Sequence, residues 1–274
     1  MDNRISPEKN EKAPKQMVAL ITGGCSGLGL SAVHKLSEQN YKVIVFDTNK
    51  EEGDNLTKNF KGNVVFYKVD VTDETVVKET IEKIERTYMR IDVLVNSAGV
   101  VVPSFMLSRN TTSQLLEKIL DINVIGSFNV LKYTALVMIN QQIFPSKKNL
   151  LYKQKGVIIN IGSILGIEGT NGNAFYSASK GAIHGMTMPL ARDLGKYGIR
   201  VVCIAPTLLN TPMADLVNSN PKMKKFSEMQ SALGRIGDSK EFADTMIGVI
   251  ESTYMTGEIV ELSGGMKVSI IPKL

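Results

Sequence analysis

The chain has 274 residues, 43% of them apolar, enough for one large core, and its net charge of +5 reflects 32 basic against 27 acidic residues. Two cysteines exclude a disulfide framework, and two histidines without a neighbouring cysteine–acid cluster argue against a metal centre. No apolar run approaches the ~20 residues of a membrane-spanning helix, so a protein outside the bilayer is expected.

In chain order, residues 1–16 are polar and charged and read as a flexible arm. The arm has no secretory apolar core, and Asp2, Glu8 and Glu11 suit a mitochondrial presequence poorly. A buried strand at Val18–Ile21 then breaks into a loop carrying Gly23, Gly27 and Gly29, with Ser26 and Leu28 between them, and enters a helix ending near Gln39. Glycines let backbone approach a pyrophosphate, and the helix N-terminus offers it free N–H groups. The next strand, Val43–Phe46, closes on Asp47, placed to accept hydrogen bonds from the hydroxyls of an adenosine ribose and to repel a 2′-phosphate. NAD is therefore the expected cofactor.

Strands follow at Val64–Lys68 and Val93–Val95, separated by a helix over Asp73–Tyr88 whose Val77, Ile81, Ile84 and Tyr88 form one apolar stripe. A long helix is expected near Ile119–Gln142. The proline and polar residues of Phe144–Gln154 predict an exposed loop, and a fifth strand is placed at Gly156–Ile161. The small residues from Ala174 to Leu194 predict a helix bearing Tyr176 and, four residues on, Lys180. A phenol titrates near ~10, so Tyr176 can act as a base at neutral pH only beside a positive charge, which Lys180 supplies. His184, one further turn along, is read as packing or a subunit contact and left out of the site. Strands at Arg200–Ile204 and Glu258–Leu262 complete seven, separated by helices. That pattern predicts one α/β domain over residues 17–274 with a doubly wound, Rossmann-type parallel sheet. Residues 208–236 follow the sixth strand at its ligand-binding edge and are expected to form a lid, with Leu209, Met213, Leu216, Val217, Met223 and Phe226 toward an apolar pocket and Lys222, Lys224 and Lys225 toward an anionic substrate.

These residues resemble the short-chain dehydrogenases/reductases, from about Met17 to Leu262. The likeness is carried by Thr22-Gly23-x-x-x-Gly27-x-Gly29, by Asp70-Val71, by Asn96-Ser-Ala98-Gly99, by Asn123, and by Ser163, Tyr176 and Lys180. The resemblance implies that Tyr176 is the acid/base and that Ser163 orients the substrate oxygen. Lys180 would also bind the nicotinamide ribose, and Asn123 would hold a proton relay. Asp70 and Val71 would hold the adenine, Asn96, Ala98 and Gly99 would brace the sheet and line the cofactor, and Pro206 and Thr211 would flank the nicotinamide. Within the family the likeness is to members acting on 3-hydroxyacyl-CoA. It implies an acyl-CoA or other alcohol substrate, a homotetramer and a mitochondrial location, with the cytoplasm otherwise. A subunit of an RNA-processing complex and a steroid or other ketone reductase are the alternatives. The family's glycine after the sixth strand is Thr207 here, which predicts backbone strain of about 1–3 kcal/mol or a weakened cofactor seat if the position needs a positive φ or tight contact.

Overall fold

The computed structural model describes residues 16–60 and 62–266. The expected arm thus lies outside the described residues except for Gln16, whose Nε2 donates to the carbonyl of Asn40 at 2.7 Å.

Along the chain the elements are β1 (Val18–Thr22), α1 (Gly27–Glu38), β2 (Lys42–Asp47), α2 (Lys50–Asn59), β3 (Val64–Lys68), α3 (Glu74–Tyr88), β4 (Val93–Asn96) and α4 (Ser113–Leu120). They continue with α5 (Gly126–Asn140), α6 (Lys147–Tyr152), β5 (Gly156–Ile161), α7 (Ala174–Gly195), β6 (Ile199–Pro206) and β7 (Leu209–Asn210). The last are α8 (Asp215–Asn218), α9 (Pro221–Gln230), β8 (Gly237–Asp238), α10 (Ser239–Glu251) and β9 (Ile259–Leu262). Seven strands form one parallel sheet in the order β3-β2-β1-β4-β5-β6-β9, and β7 and β8 pair separately.

The central strands are Val/Ile-rich because both faces are covered. Their side chains alternate, so Ala19 and Ile21 of β1 join one core with Val33 and Leu36 of α1 and Phe242 and Met246 of α10. Val18 and Leu20 join the opposite core with Ile81 of α3, Met138 of α5 and Leu194 of α7. Strand order reverses between β1 and β4, which opens a crevice at the carboxyl edge.

Two expectations need correction. The long helix starts earlier, at Ser113, and runs to Asn140 through a π turn at Asp121–Ile125. Its length and composition would let it cross a membrane, contrary to the reading of the sequence, but Val130, Leu131 and Met138 are buried in the core. The segment Phe144–Gln154 is not all loop. Ser146 caps α6 by accepting from the Asn149 N–H at 3.1 Å, and Lys153 ends that helix in the left-handed region at φ 52°.

Candidate active site

The carboxyl ends of β1, β4, β5 and β6 open onto a cavity of about 470 Å³. The glycine loop forms one wall. Gly23 and Gly27 have φ of +63° and +53°, and a Cβ on Gly23 would lie 2.9 Å from the Ala98 backbone. Ser26 caps α1 without a side-chain hydrogen bond, and no acid occupies the first turn. The first amides of α1 are thus left for an anion, as a dinucleotide pyrophosphate requires. Beside them, Asp47 is oriented by backbone donors, its Oδ2 accepting from Cys25 N and its Oδ1 from Asn49 N, both at 3.0 Å. Asp70 is fixed by Thr72, whose N–H and hydroxyl donate to its Oδ1 at 2.9 and 2.8 Å.

At the far end of the cavity lie Ser163, Tyr176 and Lys180, all buried. Ser163 terminates β5's extension and caps a short 3-10 turn, its Oγ accepting from Leu165 N at 3.2 Å. Tyr176 sits in the first turn of α7 and Lys180 one turn on, with Nζ 5.7 Å from the phenol ring centre. Burial pushes the Tyr176 phenol up to about 12, while a hydrogen bond shared with Ser163 pulls it the other way. Burial lowers Lys180 to about 8, and its Nζ donates to the Ile161 carbonyl at 2.7 Å. The phenol is thus raised where the sequence predicts a value lowered by Lys180; burial is the dominant cause, and the phenol is held as an acid.

The short chain dehydrogenase model matches residues 17–222. The chain belongs to the short-chain dehydrogenase family. Rat 3-hydroxyacyl-CoA dehydrogenase type-2 is 38% identical to this dehydrogenase over 262 residues, covering 94% of this chain and 97% of the rat protein. Among solved structures, a 3-hydroxyacyl-CoA dehydrogenase type-2 from Mycobacterium avium superposes with a TM-score of 0.83 at 26% identity, over 95% of this chain and 99% of that one. ElxO with NADP bound superposes with a TM-score of 0.81 at 25% identity, over 91% of this chain and 98% of that one. This dehydrogenase is thus an oxidoreductase with a nicotinamide-cofactor fold.

Most residues singled out in the sequence line the one cavity: Gly23, Ser26, Gly27, Leu28, Asp47, Asp70, Val71, Ala98, Gly99, Ser163, Tyr176, Lys180, Pro206 and Thr211. Three do not. A Cβ on Gly29 would meet the Gly23 carbonyl oxygen at 2.2 Å, so this glycine lets α1 pack on the loop. Asn96 is buried beneath the floor, donating from Nδ2 to Asn160 Oδ1 at 2.9 Å and to the Ser127 carbonyl at 3.1 Å. Asn123 lies in the π turn, where Nδ2 donates to the Val100 carbonyl and to Ser179 Oγ, both at 2.9 Å, and Oδ1 accepts from Val100 N at 2.8 Å. Its side chain ties the loop after β4 to α7 directly behind Tyr176.

Thr207 also lines the cavity and is not strained. It is absent from the residues of positive φ, its N–H donates to the Leu262 carbonyl at 3.0 Å, and its hydroxyl reaches the Leu262 and Ser263 carbonyls at 3.5 and 3.4 Å. The sequence could not show this, because the partner strand β9 lies 55 residues away. Of the apolar set expected in the lid, Leu209 and Met213 line the cavity, whereas Val217, Met223 and Phe226 do not. No residue of α9 is buried. Ile161, whose carbonyl holds Lys180, was missed because a backbone acceptor leaves no mark in side-chain identity.

Proposed function

We propose that this dehydrogenase interconverts a 3-hydroxyacyl-CoA and a 3-oxoacyl-CoA with NAD(H). The observation that carries the reaction type is the convergence of Ser163, Tyr176 and Lys180 on the one cavity that the glycine loop also lines. The observation that supports NAD is Asp47, which lines the cavity and has no cation within ion-pair reach among the described residues. The bound nicotinamide supplies hydride transfer. Ser163 orients the substrate oxygen and stabilises the charge that develops on it. Tyr176, protonated in the buried ligand-free site, donates its hydroxyl proton to that oxygen in the reductive direction and takes it back in oxidation. Lys180, anchored on Ile161, keeps positive charge beside the phenol and would hold the nicotinamide ribose.

The acyl-CoA assignment rests on the named relatives, and two surface features support it. α9 presents exposed Lys222, Lys224 and Lys225, none of them ion-paired among the described residues. Exposed apolar Met213, Met223 and Met229 accompany them along the same segment. A homotetramer is part of the same proposal, because Ile125, Phe128 and Leu136 are exposed on the outer side of the long helix. So is a mitochondrial location. The alternative of a non-catalytic subunit loses the support of backbone strain at Thr207, whose φ is not positive.

The deciding experiment is a panel assay of NADH and NADPH oxidation with 3-oxoacyl-CoA, steroid ketone and simple ketone substrates. The proposal expects NADH with 3-oxoacyl-CoA to give the highest kcat/KM. A preference for an uncharged ketone or for NADPH overturns the corresponding part. Light scattering of the same sample is expected to give four chains per particle, and a 30 kDa particle refutes the tetramer.

A further inference from the structure

Beyond Ser163, Tyr176, Lys180 and the Asn123 brace, a further polar side chain lies against the segment that carries the serine. His184 lies one turn after Lys180 and two turns after Tyr176 on the same side of α7. Its ring is wedged against the segment that carries Ser163. A Cβ on Gly162, immediately before Ser163, would lie 2.4 Å from His184 Nε2, and one on Gly166, three residues after it, would lie 2.9 Å from Cε1. Both glycines flanking the serine thus leave the space that the imidazole fills. His184 Nε2 is buried and has no hydrogen-bond partner among the described residues.

We propose that His184 is a positioning residue, holding the Ser163 turn in register with Tyr176 only while its imidazole is neutral. The ring is packed against the backbone on both sides of Ser163, so a change in its size or solvation moves the serine. The ionisable groups facing it are Lys180 on its own helix, Cys203 on β6 and Glu261 on β9. Burial and the Lys180 ammonium both disfavour a proton on the ring, with Glu261 opposing them. A protonated ring would place a second cation one turn from Lys180, with a buried N–H that finds no acceptor. It would leave its slot toward water and release the turn.

This inference rests on the proposed reaction, and the reductive direction isolates it. Tyr176 must be protonated to donate, and acid keeps it so; a loss of reductive turnover in acid therefore belongs to another group. Reductive kcat is measured from pH 5 to 8 for the wild type, His184→Gln and His184→Ala, with circular dichroism at each pH. The Cε1–H resonance of His184 is followed by NMR in the ligand-free protein, where His34 is the sole other histidine. The expected results are a reversible fall in wild-type kcat below the ordinary histidine value of ~6.5 with the fold intact, the same midpoint by NMR, and no such fall in His184→Gln. At neutral pH His184→Ala should lower kcat about tenfold with little change in cofactor KM, because it loosens the serine and not the cofactor wall. An acidic fall retained in His184→Gln, or an NMR midpoint at or above ~6.5, overturns the proposal. Absence of turnover in the wild type overturns the reaction instead, and leaves the NMR midpoint as the test of the histidine.

Discussion

Lys180 Nζ lies 2.7 Å from the carbonyl oxygen of Ile161 and 5.7 Å from the ring centre of Tyr176. The last carbonyl of β5 therefore anchors the ammonium beside the phenol ring, so that strand β5 and helix α7 together set the position of the charge.

Replacing Tyr176 by Phe removes the transferable proton and little else, since the ring and its packing remain. Turnover should fall by ~10²–10⁴-fold while cofactor affinity stays within a few-fold. Steady-state kinetics and fluorescence titration measure the two. Retention of more than about a tenth of the activity would assign the proton to another group.

The Lys180 ammonium also couples stability to pH. Its value is about 8 when folded against 10.5 in the open chain, so between these pH values the unfolded state binds more protons and stability rises with pH. Lys180→Met abolishes that dependence. Urea denaturation at pH 7 and pH 10 should show the wild type gaining on the variant at the higher pH, and parallel changes in both would refute the buried charge. Above pH 10 Tyr176, with about 12 when folded against 10.0 unfolded, holds protons that the open chain has lost, so it lowers stability with rising pH in the wild type and in Lys180→Met alike.

Asp47 is held by the amides of Cys25 and Asn49 and cannot swing away from the cavity without losing both. Wild-type protein should bind NADH at least about tenfold more tightly than NADPH, since a 2′-phosphate would meet a fixed carboxylate. Asp47→Ala should narrow the difference from both sides. Equal affinities in the wild type would sink the assignment.

Thr207 links the end of β6 to Leu262 and Ser263 and adopts ordinary backbone angles. Thr207→Gly is therefore expected to raise no activity and to lower stability by about 1 kcal/mol through added chain entropy. Thermal or urea unfolding reads the loss. A gain in kcat would show that the threonine obstructs the cofactor after all.

The sequence by itself determined the order of strands and helices, the glycine loop, Asp47 and the Tyr176–Lys180 spacing. Each is a local pattern: short continuous apolar runs such as Val43–Phe46, a loop opening a helix, and two residues one turn apart. It also overreached where locality fails. The proline and lysines of Phe144–Gln154 look like loop, yet the Ser146 cap starts a helix, and a carbonyl at Glu251, fixed only by the tertiary fold, receives Lys148. Tertiary structure alone decided that Asn123 braces the β4 loop, that Ile161 anchors Lys180, that β9 relieves Thr207, and that His184 fills the slot beside Gly162 and Gly166. In each case the partner is a backbone atom or an empty glycine surface remote in sequence. Such a partner is set by how strands β5, β6 and β9 and helix α7 come together, and side-chain identity does not encode it.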